Sequence, residues 1–153
     1  MLSQIVQIAY PLDVYQVVAM GTYAYEQHLS ESETKKIVET ALETVDMTRF
    51  YHRNYLTLSG GERKRILLAK CLVQLEAPSS QHENKYLFLD EPAANLDVKQ
   101  KFKILQLVKE LARKKNLGVF AVLHDLNLAA QFADELLILK SGRLLDMGTP
   151  EVV

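Results

Sequence analysis

Leu87-Phe88-Leu89-Asp90-Glu91-Pro92 decides how the rest of the chain reads. Tyr86 to Leu89 is an unbroken apolar run of strand length, which predicts a strand in a parallel sheet buried on both faces. Open parallel sheets bind ligands outside the carboxyl ends of their strands. Here that end carries two adjacent carboxylates, Asp90 and Glu91. Burying them is costly unless a cation or a proton compensates. One carboxylate on Mg²⁺ beside a second acting as general base would suit phosphoryl transfer. An acidic turn after a core strand accounts for the same residues.

Working outward, Lys99 to Lys115 has the period of a long helix, with Phe102, Leu105, Val108, Leu111 and Ala112 facing inward. Leu117 to Leu123 is a second apolar run, predicted as the next buried strand, and Asp125 to Phe132 as a short helix. Leu136 to Leu139 and Arg143 to Asp146 form a hairpin around Ser141-Gly142. Upstream, Ala77 to Lys85 reads as an exposed polar loop. Ser59-Gly60-Gly61-Glu62 opens a helix running to about Leu75. Asp13 with Gln16 and Ser30 with Glu33 have the spacing of capping boxes. The first precedes Val14, Val17 and Val18 at helical spacing, with Gly21 as the stop. The second opens an amphipathic helix with Ile37, Val38, Ala41, Leu42 and Val45 on one face. Asp46 to His52 reads as a further short helical stretch. Helix and strand alternate from Arg63 onward, so the fold class is α/β, a layered domain with a helical lobe over about residues 10–58 and a core over 59–153.

The bulk composition narrows the partners. The chain has 153 residues and is 48% hydrophobic, enough for one domain with a real core. Lys and Arg total 18 against 19 Asp and Glu, a balance that argues against nucleic acid as the main partner. The single cysteine, Cys71, leaves no internal disulfide and is expected to be an inert core thiol. No stretch reaches the roughly 18 apolar residues of a bilayer span, and the first residues lack the pattern of a signal peptide. His28, His52 and His82 show no metal-ligand spacing.

Two further segments carry possible chemistry. The glycines of Leu58-Ser59-Gly60-Gly61-Glu62 let backbone N–H groups at a helix start approach an anion. The same spacing of Ser59 and Glu62 also fits a simple capping box. His124 follows the second apolar run at the carboxyl edge of the sheet, within reach of a phosphate or as a structural histidine. Arg63-Lys64-Arg65 reads as a solvated helix face beside an anion site, with phosphate contact as the alternative. Tyr10, Tyr15, Tyr23 and Tyr25 serve equally as a docking surface or as packing.

Order and spacing single out one family. A glycine-rich helix start, a strand ending in Asp-Glu, Asn95-Leu96-Asp97, and a strand ending in His resemble the ATP-binding-cassette (ABC) ATPases along essentially the whole chain. Leu58 to Glu62 is similar to the signature loop, and Leu87 to Glu91 to the Walker B strand. Ala94-Asn95-Leu96-Asp97 resembles the D-loop, His124 the switch histidine, and Gln4 stands where the Q-loop glutamine falls. The resemblance implies a P-loop NTPase-type fold with ATP and Mg²⁺ as cofactors. It makes Glu91 and His124 catalytic, and Asp90 and Gln4 the Mg²⁺ residues. Ser59, Gly60, Gly61 and Glu62 would meet the ATP of a second ABC ATPase subunit, and Asp97 would tie the two sites together.

The departures are as telling as the matches. No G-x-x-x-x-G-K-[ST] string occurs, and none of the 6 glycines precedes Lys-Ser or Lys-Thr. The reading is therefore a domain N-terminally truncated, lacking the Walker A loop. Val17 to Gly21, His124 to Ala130 and the Ala77 to Lys85 insert look like importers of iron chelates, haem or cobalamin, the insert most like haem importers. The expected function is the ATPase subunit of an ABC importer for haem or an iron chelate, peripheral on the cytoplasmic face of the membrane through permease subunits. A non-catalytic module lending its signature loop to a complete partner, or a non-transport ABC protein, is the alternative.

Overall fold

The computed structural model describes residues 10–25, 29–76 and 84–152. Its first half is helical. Helix α1 spans Val14–Ala19, α2 Glu31–Thr44 and α3 Gly60–Leu75. Each starts at a capping box that the sequence spacing predicts: Asp13 with Gln16, Ser30 with Glu33, Ser59 with Glu62. In each, a side-chain acceptor satisfies an N–H of the first turn that has no intrahelical partner. Asp46 to His52 contains only a one-turn 3-10 helix, Thr48–Phe50.

Helix α3 lies along α1 and α2. Val14, Val17, Val18, Val38, Leu42, Ile66, Leu68 and Val73 are at most 2% exposed between them. Cys71 is buried, and that burial pushes its thiol above the ordinary range. Gly21 does more than end α1. The chain continues into a 3-10 turn, Met20–Ala24, that rests on α3. A Cβ at Gly21 would stand 2.6 Å from the Lys70 carbonyl oxygen and 2.8 Å from Val73 Cβ. Arg63-Lys64-Arg65 is not the solvated face its charge suggests. All three side chains are half-buried, and their heads bond the Leu56, Glu91 and Val45 carbonyls in turn.

Strand β1, Tyr86–Asp90, pairs in parallel with β2, Gly118–Val122, in register from Tyr86 opposite Gly118 to Asp90 opposite Val122. Helix α4, Val98–Lys115, connects them. The expectation of burial on both faces fails. Leu87 and Leu89 join the core, while Tyr86, Phe88, Phe120 and Val122 stay about half exposed. A strand offers alternate side chains to opposite faces, and among the described residues only one face is packed. On the open face Phe88 stacks on Phe120 at 5.2 Å.

On α4 the buried residues are Ile104, Leu105, Val108 and Leu111. Phe102, expected inside, sits at the rim with its ring edge-on to Phe132. Helix α5, Leu126–Phe132, is capped by Asp125. Strands β3, Leu136–Lys140, and β4, Arg143–Gly148, form the expected antiparallel hairpin. Ser141 and Gly142 both have positive φ, as a two-residue hairpin turn matched to strand twist requires. No helix among the described residues is long and apolar enough to cross a membrane.

Candidate functional site

Strand β1 ends at Asp90, and the chain turns sharply at Glu91, whose φ is +46°. Three bonds hold that turn. The Glu91 N–H donates to the Val122 carbonyl at 3.1 Å, across the sheet. Its own carbonyl accepts from the Ala94 N–H and from the Lys64 ammonium, each at 3.1 Å. The parallel register brings the ends of β1 and β2 side by side, and His124 follows β2 by two positions. The two residues meet: His124 Nε2 contacts Glu91 Oε1. The Glu91 side chain is 17% exposed and the imidazole 78%, so the carboxylate is held at the sheet edge and the ring faces outward.

Lys64, read from the sequence as part of a solvated helix face, reaches this turn instead. Burial pushes its ammonium below the ordinary range, and the carboxylates of Glu91 and Asp90 pull it back up. A signal was available: Lys64 lies four residues after Gly60, one turn along the same helix face. It thereby joins the glycine-rich helix start to the backbone of Glu91.

The second predicted cluster sits at the start of α3. Ser59 is the N-cap, and its N–H and hydroxyl each donate to Glu62 Oε2 at 2.8 Å. Those bonds hold the Glu62 carboxyl below its ordinary range. Glu62 thus serves as a cap. A Cβ at Gly60 would lie 3.6 Å from Leu96 Cδ2, and one at Gly61 3.1 Å from Gln100 Oε1. The glycines therefore pack beside Asn95-Leu96-Asp97, where Asn95 has φ +60° and Asp97 caps α4 by accepting from the Gln100 N–H at 2.9 Å. With first-turn N–H groups lying beyond the intrahelical ladder, this end of α3 suits an anion.

The structure thus gathers Asp90, Glu91, His124 and Lys64 at the sheet edge, and Ser59, Gly60, Gly61 and Asp97 around the start of α3. Gln4 lies outside the described residues. No three His, Cys, Asp or Glu residues among the described ones form a metal cluster. Asp90 and Glu91 nonetheless offer the hard oxygen donors that Mg²⁺ takes one or two at a time, with water and phosphate completing its shell.

A parallel sheet whose adjacent strand ends carry a carboxylate and an imidazole, beside a glycine-opened helix, has the fold class of the P-loop nucleotide triphosphatases. A family model described as ABC transporter matches residues 2–94, and the chain belongs to that family. It is 42% identical over 152 residues to the hemin import ATP-binding protein HmuV of Hahella chejuensis, covering 99% of the chain and 57% of that protein. Among solved structures it is similar to an ABC transporter described as metal-chelate type, in an inward-facing conformation. That likeness has a TM-score of 0.82 at 26% identity, over 97% of this chain and 57% of the other. It is also similar to a dimeric ATP-binding cassette in a post-hydrolysis state with ADP and phosphate, at TM-score 0.73 and 27% identity, over 92% of this chain and 58% of the other.

Proposed function

We propose that this chain is the hydrolytic portion of an ATPase subunit that drives an ABC importer, with haem as the cargo. The contact between Glu91 and His124 across the carboxyl ends of β1 and β2 carries the reading. When bound, Mg²⁺ and ATP supply the phosphoanhydride to be cleaved and the charge that neutralises it. Glu91 is the general base, taking a proton from water at a carboxylate oxygen. His124 orients that carboxylate and reaches the terminal phosphate from the exposed side of the sheet edge. Asp90, with Gln4, would hold the ion.

Ser59, Gly60 and Gly61 meet a nucleotide carried by a second cassette, with Glu62 fixing the loop they occupy and Asp97 joining the two sites. The G-x-x-x-x-G-K-[ST] string does not occur in these 153 residues. The subunit works as a pair on the cytoplasmic face of the membrane, held there by permease subunits. Haem as cargo rests on the likeness to the Hahella chejuensis protein, over 57% of its length.

The test uses a chimera in which the rest of the Hahella chejuensis protein is supplied to this chain. There Glu91→Gln is expected to leave ATP binding intact and lower turnover at least about a hundredfold. Turnover retained in that variant would move the base to another residue.

A further inference from the structure

Helix α3 touches both ends of the segment that leads from β1 into α4. From its second turn, Lys64 Nζ donates to the Glu91 carbonyl at 3.1 Å. From its first turn, the glycines lie against the far end. A Cβ at Gly60 would stand 3.6 Å from Leu96 Cδ2, and one at Gly61 3.1 Å from Gln100 Oε1. The start of one helix therefore grips the segment that begins with Glu91.

The Lys64 side chain is guided to its contact. Its stem lines a narrow crevice with Leu68, Leu89, Pro92, Ile104 and Val108. Apolar walls of this kind carry a long aliphatic stem while its charged head finds a polar partner. The ammonium settles on the backbone carbonyl, and Glu91 Oε1 is left to His124 Nε2. A charged donor makes a stronger bond to that carbonyl than a neutral one would.

The bond falls where the backbone requires support. Glu91 has φ +46°, a region that a residue with a Cβ keeps only when its surroundings impose it. Two other bonds to the Glu91 backbone come from the Ala94 N–H, within the same turn, and go to the Val122 carbonyl, within the same sheet. Lys64 adds a constraint from a separate element, one whose first turn carries Gly60 and Gly61. The backbone on either side of Glu91 sets the direction of its side chain. A shift of this turn would re-aim the carboxylate away from His124.

We infer that Lys64 is a positioning residue for the hydrolytic step: from the second turn of α3 it fixes the Glu91 turn, and with it the aim of the carboxylate. The inference rests on the proposed role of Glu91 as the base. Loss of the ammonium should therefore impair turnover and spare nucleotide binding.

The test substitutes Lys64→Met, which keeps the apolar stem and removes the donor. In this chain as it stands, without nucleotide, hydrogen exchange followed by NMR reads the turn directly. The Glu91 and Ala94 amides should exchange about tenfold faster in the variant, while those of Leu67 to Leu72 within α3 keep their wild-type rates. In the chimera described above, kcat should fall about tenfold, with KM and calorimetric affinity for ATP within about twofold of wild type. Placed on Glu91→Gln, the same substitution should cost no more than about twofold, because both changes strike one group.

Unchanged exchange at Glu91 and Ala94, or exchange that quickens throughout α3, overturns the assignment. So does a rise in KM that accounts for the lost activity, or a tenfold loss that persists undiminished on Glu91→Gln. Wild-type kcat in Lys64→Met while Glu91→Gln is inactive defeats this inference alone. Turnover retained by Glu91→Gln defeats the base reading, and this inference with it.

Discussion

Helices α1, α2 and α3 and the strands that follow them are both built on apolar runs, and they finish in opposite surroundings. In the helical lobe the apolar stripes close on one another: Val17, Val38, Leu42 and Ile66 are 0% exposed. In the strands only alternate residues are covered. Phe88 and Phe120 are each 51% exposed, and on the hairpin Leu137 and Leu139 are 52% and 70% exposed. A helix presents one stripe, and three helices adjacent in sequence satisfy one another locally. A sheet presents two faces, and α3 and α4 pack against one of them. A strand's period of two sends Phe88 and Phe120 to the other face, which no described element covers.

That contrast is sharpest in truncations. Leu42→Ala removes a fully buried side chain from a lobe with little room to collapse, and should cost about 3 kcal/mol of unfolding free energy. Leu137→Ala trims a half-exposed residue of the hairpin and should cost less than about 1 kcal/mol. Denaturant unfolding followed by circular dichroism measures both. Equal losses would mean that the hairpin's exposed face is packed in solution, and the distinction between the two regions would fall.

The glycines give a finer version of the same comparison. A Cβ at Gly21 meets the carbonyl oxygen of Lys70, which is fixed in α3. Gly21→Ala must part the 3-10 turn from α3 and should cost about 2 kcal/mol, in the range of overpacked cores. At Gly118 a Cβ would lie as near, 2.5 Å from a ring carbon of Tyr86. Tyr86 is 51% exposed on the open sheet face, where its ring can shift more readily than a helix carbonyl. Gly118→Ala should stay within about 1 kcal/mol, the unfolded-state gain of losing a glycine offsetting part of the shift.

What sequence could reveal follows the same division. The capping boxes at Asp13, Ser30 and Ser59 and the buried stripe of α2 were legible because each depends on spacing within one or two helical turns. The Ser141-Gly142 turn was legible for the same reason. The meeting of Glu91 with His124 depends on strand register between residues 33 apart. Sequence placed both at the sheet edge without showing that they touch. Lys64 was read as solvated because charge suggests exposure, whereas its stem lies along α3 and its head finds the Glu91 carbonyl. Burial of Tyr86 to Leu89 on both faces was over-read, because an unbroken apolar run records what a face can accept and not what covers it.

The smallest effect tests the feature that the lobe and the candidate site share. Ser59 and Glu62 cap α3, whose far end is buried in the lobe and whose first turn carries the glycines. Ser59→Ala removes a hydroxyl that accepts from the Glu62 N–H and donates to its carboxylate. The loss at neutral pH should be about 1 kcal/mol. Glu62 binds its proton less readily in the folded chain than at its ordinary value of 4.5, because of its bonds to Ser59. Its contribution is therefore present above that value and is lost as pH falls through the lowered folded one. The wild type should lose this increment on acidification, and Ser59→Ala, lacking part of it at the outset, should lose less. The two stabilities should converge as pH falls below 4.5. A difference that stays constant from pH 7 to pH 3 would show that the serine stabilises α3 without its carboxylate partner.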